Sequence, residues 1–290
     1  MPQAELLADV QDTIGESPVW LAASDAVYWV DAEGHSVHWW SASDGSVDTR
    51  SLSVPVTALI PRAGGGWILV AKDGLYSATA DFEETVFIVD PTAHDPLTRL
   101  NDGVADRWGR VWTGSMSVHD VTQPIGRLYV VSSATDVAEV DAGFAVANGI
   151  AMSPDSRLAY ASDQWHGRIR TYHLDPDSGE ISDTGALITP EGPGYPDGLA
   201  VDRDGMLWVA YWDGARVDRL DASGTVVASV AVPADQTTRA CLGGRTGSRL
   251  FVTSGRFDLD ASQLQRQPHA GALFSAEVDA VGLPVAEARL

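Results

Sequence analysis

Six short segments of the chain each carry a polar residue at the same place ahead of an apolar strand. They are IGESPVW from Ile14, VPVTALI from Val54, RLNDGVAD from Arg99, VANGIAMS from Val146, YPDGLAVD from Tyr195 and QTTRACLGG from Gln236. In phase they contribute Glu16, Thr57, Asn101, Asn148, Asp197 and either Thr237 or Thr238. Taken alone, Asn148-Gly149 and Asp197-Gly198 are ordinary turn dipeptides. Taken together, two carboxylates and two amides recur in one phase. Two bare carboxylates facing each other repel, and one of them picks up a proton unless a cation lies between them. An all-oxygen set with two negative charges suits a hard divalent cation. No His or Cys shares the phase, which argues against a structural zinc site. The seven histidines show no metal-type spacing such as His-x-x-x-His.

Convergence of these residues requires a repeated element. Behind each segment lies a polar turn and then an aromatic or β-branched strand: SDAVYWVD (24–31), GGGWILVA (64–71), WGRVWTGS (108–115), DSRLAYAS (155–162), DGMLWVAY (204–211) and GSRLFVTS (247–254). The copies are roughly 40 to 48 residues apart, a propeller-blade spacing. A third alternating strand follows each, starting near His35, Asp73, Gly126, Gly167, Ala215 and Gly271. The clearest copy runs from Tyr195 to Trp212, with Asp202-Arg203-Asp204-Gly205 as the turn. Six copies without a long amphipathic helix predict an all-β, six-bladed β-propeller. The strand ahead of each turn is expected to be innermost, so the six polar residues point at one channel mouth. Residues 5–10 are expected to pair with the last blade and close the ring. No Pro/Gly/Ser-rich linker splits the chain, so residues 1–290 are read as one domain rather than two sandwiches.

Composition excludes several functions. The 290 residues carry a formal net charge of −21 with ordinary hydrophobic content, 44%. Such a surface repels phosphate backbones and anionic lipid, so neither nucleic acid nor membrane is an expected partner. Lys72 is the only lysine, which leaves little room for Schiff-base chemistry. The only cysteine, Cys241, can form neither an internal disulfide nor a thiolate cluster and is expected to be a buried, inert thiol. No Gly-x-Ser-x-Gly elbow is present for a serine hydrolase. The start of the chain lacks the basic and apolar stretches of a signal peptide, and no window reaches transmembrane length, so a cytoplasmic protein is expected.

The segments GESPVW (15–20), RLNDGVAD (99–106), TGSM (113–116), Asn148-Gly149, PDG (196–198), TTRACLGG (237–244) and RQPHAGALF (266–274) resemble, in order and spacing, the gluconolactonase family, which takes in regucalcin (senescence marker protein), luciferin-regenerating enzyme and sugar-acid lactonases. The resemblance spans essentially the whole chain. It implies a six-bladed propeller with one divalent metal ion (Ca2+, Zn2+, Mn2+ or Mg2+) at the channel mouth. It also implies Glu16, Asn148 and Asp197 as metal ligands, Asp197 as catalytic base, and Arg99 and Asn101 as substrate contacts. The implied reaction opens a small-molecule sugar lactone to its acid, in a monomer or small homo-oligomer. Where family members carry a substrate-contacting Glu three residues after the Met of TGSM, this chain has His119, so His119 is the expected substrate-binding residue there. Trp20, Trp165, His166, Tyr195 and Trp212 are candidate pocket aromatics. Two other functions fit the same oxygen set: phosphotriester hydrolysis, as in propellers of the diisopropyl fluorophosphatase type, and calcium binding without catalysis.

Overall fold

The computed structural model describes residues 1–290, the side chains of Asp183 and Thr184 excepted. Its strands form six antiparallel four-stranded sheets arranged as a six-bladed β-propeller. The inner strands are Gly15–Leu21, Val56–Pro61, Thr98–Ala105, Ala147–Met152, Tyr195–Val201 and Thr237–Gly243. Each is followed by its aromatic second strand and alternating third strand in the anticipated order. Blades one to five add a fourth strand in sequence, such as Val226–Ala231 in blade five. In blade six the fourth place is taken by Glu5–Ala8, which pairs with Leu273–Glu277 and closes the ring.

Burial explains the radial stacking. Along Trp67–Ala71 in blade two, Trp67, Leu69 and Ala71 pack toward blade one, while Ile68 and Val70 pack toward blade three. A strand with period-two side chains and apolar residues on both faces can only be satisfied between two other sheets. The same arrangement gives six hydrophobic cores, one in each gap between neighbouring blades. Trp29, Trp112 and Trp208 are fully buried second-strand residues, and each finds a carboxylate for its indole N–H. Trp112 Nε1 donates to Asp106 at 3.0 Å, Trp208 Nε1 to Asp202 at 2.9 Å and Trp29 Nε1 to Asp12 at 2.8 Å. Asp202 also accepts the backbone N–H of Asp204 and Met206, so the turn expected at 202–205 is held by its own first residue.

One irregularity recurs in every inner strand and places the polar residues. The pairing register with the second strand breaks between Glu16 and Val19, Val56 and Ala58, Leu100 and Gly103, Asn148 and Ile150, Pro196 and Leu199, and Thr237 and Arg239. A bulge leaves residues unpaired and re-aims their side chains. In the first five blades the residues at these breaks, Glu16, Thr57, Asn101, Asn148 and Asp197, all reach one end of the channel. The glycines there answer to crowding. Gly149 has φ +41, and a Cβ on it would meet the carbonyl oxygen of Asp197 and the Ser162 hydroxyl. A Cβ on Gly198 would enter the stem of Arg239.

The other mouth of the channel is apolar. The C-terminal segment passes beneath it, paired to Asp202 at Gly282 and to Arg62 at Ala288. Cys241 lies half-buried on that wall, and burial of its sulfur pushes the thiol up to about 12, in keeping with an inert role. No helix among the described residues is long and apolar enough to cross a membrane.

Candidate functional site

A cavity of about 430 Å³ opens at the mouth where the inner strands begin. Its wall includes Glu16, Thr57, Arg99, Asn101, Asn148 and Asp197, contributed by the first five blades. Five of the six in-phase positions thus reach one space. The sixth does not: Thr237 Oγ1 donates to Ala234 O at 3.1 Å, and Thr238 Oγ1 donates to Gly15 O at 2.5 Å. Both hydroxyls are spent on backbone, and Gln236 reaches the cavity instead.

Glu16, Asn148 and Asp197 meet at the cavity floor. Asp197 is 2% exposed, and its side chain contacts the Asn148 amide nitrogen directly. That nitrogen also donates to Gln164 Oε1 at 3.2 Å, while Asn148 Oδ1 accepts the Gly149 N–H at 3.0 Å. Glu16 accepts the Ser17 N–H at 2.7 Å, and Ser17 sits in the left-handed region with φ 53. Burial, with the Asp102 charge beside it, lifts the Glu16 carboxyl to about 8. Asp197 is pushed well above the usual carboxylate range by burial first, and then by the charges of Glu16 and Asp102. Arg239 opposes both shifts. These two carboxylates are thus held in low dielectric against each other, the arrangement that a bound cation relieves.

The donor set fits a hard cation rather than zinc in a thiolate or imidazole cage. Among the described residues no group of three or more His, Cys, Asp or Glu side chains is arranged to hold a metal. The set instead comprises two carboxylates and the side-chain amide of Asn148. Its remaining partners would be water or substrate oxygens.

Around this floor the wall is mixed. Arg99 is half-buried, and desolvation lowers it from its usual value, with Glu33 opposing. Its Nη1 donates to Leu100 O at 3.0 Å. Glu33 is also held by Lys72 Nζ at 2.8 Å. Asn101 Nδ2 lies 3.5 Å from Ala147 O, beside the Asn148 strand. Trp165 and Trp212 contribute aromatic surface. Of the other candidate aromatics, Tyr195 packs against Trp165 with ring centroids 4.5 Å apart, and His166 is held by Asp163 at 2.8 Å. Trp20 stacks on Phe251 and lines the opposite, apolar mouth.

His119 is not at the site. It is exposed and is not among the cavity-lining residues. Ser117 Oγ accepts the N–H of His119 and of Asp120, at 3.2 and 3.1 Å, which holds the backbone there in a turn. Val121, two residues on, lines the cavity instead. In this arrangement Val121, not the expected His119, stands on the cavity wall.

Asp102 and Arg239, which sequence reasoning passed over, form a buried ion pair whose charges act on both Glu16 and Asp197. Asp102 reads as the centre of an Asn-Asp-Gly turn, and Arg239 as one charge in an otherwise neutral strand. A lone charge flanked by Thr238, Ala240 and Cys241 was the available signal, because a strand facing a closed core cannot carry it unpaired.

Residues 14–256 match the family described as SMP-30/Gluconolactonase/LRE-like region. YvrE of Bacillus subtilis (strain 168), whose name gives it as a candidate sugar lactone lactonase, is 30% identical over 281 residues, covering 96% of both chains. Regucalcin of Danio rerio is 31% identical over 278 residues, covering 94% of this chain and 93% of its own. The structure of regucalcin from Agrobacterium tumefaciens, described as a calcium-binding protein, superposes with a TM-score of 0.91 at 27% identity, covering 99% of this chain and 97% of that one.

Proposed function

The chain belongs to the SMP-30/gluconolactonase/LRE-like family, and from that premise we propose that it is a divalent-cation-dependent hydrolase opening sugar lactones to their hydroxy acids. The observation that carries this reading is the meeting of the buried Asp197 carboxylate, the half-buried Glu16 carboxylate and the Asn148 amide, from blades five, one and four, on the wall of one open cavity. The relatives' names, a sugar lactone lactonase and a calcium-binding regucalcin, support it.

Glu16, Asn148 and Asp197 would hold the cation, which when bound supplies Lewis-acid polarisation of the lactone carbonyl and stabilises the developing oxyanion. The side chains do the rest. Arg99 and Asn101 stand on the wall where ring hydroxyls would lie, and the guanidinium offers donors to hydroxyls and later to the product carboxylate. Trp165 and Trp212 present flat apolar faces to the C–H faces of a sugar ring. Asp197 takes the proton of the attacking water as general base. The acyl C–O bond of the ring then breaks, the ring oxygen leaves as a hydroxyl after gaining a proton, and a carboxylate is released. The cavity volume suits a hexose-sized ligand.

A substrate panel tests the assignment. Aldono-1,4- and 1,5-lactones, a phosphotriester and a simple aryl ester are offered to the Ca2+-, Mn2+- and Zn2+-loaded protein in a pH-stat. Saturable hydrolysis of at least one sugar lactone is expected. Turnover of the phosphotriester alone would move the chain to the other hydrolase class. Cation binding with no turnover of any substrate would leave a non-catalytic calcium-binding propeller.

A further inference from the structure

Beneath the cavity floor lies a charge that the lactonase scheme does not use. Arg239 is 7% exposed and Asp102 is 3% exposed. The Arg239 Nη1 donates to Asp102 Oδ1 in a close ion pair, and its Nη2 donates to Ile150 O at 3.2 Å. Asp102 is further fixed by the Gly103 N–H at 2.7 Å and the Ile150 N–H at 3.3 Å. The stem of Arg239 packs directly on Gly198, the residue after Asp197. Both members of the pair stand at the register breaks that also present Glu16, Asn148 and Asp197.

A guanidinium at this position has two possible sets of partners. It can pair with Asp102, or it can pair with Glu16 and Asp197, whose carboxylates its charge already influences. In the second arrangement it would compete with any cation for the same oxygens. We propose that Asp102 is a docking partner that holds the Arg239 guanidinium off Glu16 and Asp197, keeping those two carboxylates free for a divalent cation. With Asp102 in place, three carboxylates face one guanidinium, and the formal excess of two negative charges matches one divalent ion. Without Asp102 the excess falls to one, and the freed guanidinium neutralises a ligand.

The inference rests on the cation reading above and predicts an asymmetry between two partners of one ion pair. Calcium binding is measured by isothermal titration on EDTA-stripped protein at fixed pH and ionic strength, with circular dichroism and thermal unfolding as folding controls. Asp102→Asn, nearly isosteric, is expected to weaken Ca2+ binding at least about tenfold, the order of effect of one charge in a partly screened interior. Arg239→Met is expected to bind Ca2+ at least as tightly as wild type. The double variant, with neither charge, is expected to return to within about threefold of wild type. A purely structural role would make both single variants lose affinity alike, with no recovery in the double variant. Either that pattern or unchanged binding by Asp102→Asn overturns the inference. If Asp102→Asn does not fold, Arg239→Met and the double variant decide it, because weakened binding in both is incompatible with a competing guanidinium. A wild-type protein that binds none of Ca2+, Mn2+ and Zn2+ overturns the cation reading itself, and this inference with it.

Discussion

Glu16 and Asp197 are costly residues for a cation-free protein to keep. Between the ordinary glutamate value near 4.5 and the folded value near 8, the folded chain retains a proton on Glu16 that the unfolded chain has released. Raising the pH through that window therefore destabilises the folded state, and lowering it restores stability. Asp197, shifted the same way, adds to the slope. In EDTA the melting temperature of the wild-type protein is expected to fall between pH 5.5 and 8, and that of Glu16→Gln to fall less steeply. Parallel slopes would remove Glu16 from the account. At this scale the sequence was legible where residues share a phase: Glu16, Asn101, Asn148 and Asp197 were found because the repeat aligns them. It did not show that His119 follows a turn held by Ser117 and lies outside the cavity lining. It was silent on Asp102 and Arg239, since a carboxylate in an Asn-Asp-Gly sequence looks like turn chemistry and its partner lies 137 residues away.

The inner strand is the element that converts repetition into a site. A regular strand would send alternate side chains into the two blade interfaces, and none squarely into the channel. The shared register break supplies the exception, and its glycines permit it. Gly149→Ala tests this. The new Cβ would press on the Asp197 carbonyl and lie 2.8 Å from Leu199 Cγ, at a backbone φ of +41 that alanine adopts poorly. A loss of about 2 kcal/mol or more in urea denaturation is expected, the range of strain and overpacking at a fixed backbone. A change under about 0.5 kcal/mol, typical of an open surface position, would mean that the bulge is not crowded. Second and third strands were legible from their aromatic and alternating patterns, because both faces of each are buried and selected for size. Fourth strands such as Thr85–Val89 and Val226–Ala231 are half-solvated and carry a weaker pattern. The short helix Ala261–Arg266, started by a capping box between Asp260 and Gln263, was also not anticipated, since six residues are too few to show a helical period.

Across the whole molecule, the ring sets the position of the floor, because Glu16, Asn148 and Asp197 come from three blades. Blade number followed from the spacing of the copies, and ring closure from the segment 5–10 ahead of the first inner strand, of which Glu5–Ala8 pairs with Leu273–Glu277. The sequence could not show which side chains of the channel find each other, since that depends on blade tilt and on contacts across the axis, such as Arg239 with Asp102. The account stands on one claim: a cation held by Glu16, Asn148 and Asp197, with Asp197 as base, opens a sugar lactone. Initial rates of glucono-1,5-lactone hydrolysis, corrected for the spontaneous reaction, test it most directly in EDTA-stripped protein, in the same protein after Ca2+ or Mn2+ is restored, and in cation-saturated Asp197→Asn. The account predicts background rates in the stripped protein and recovery with about one cation per chain. It also predicts a loss of at least about a hundredfold in a folded Asp197→Asn that further cation does not restore. Full activity in the stripped protein, or wild-type rates in Asp197→Asn, would contradict it.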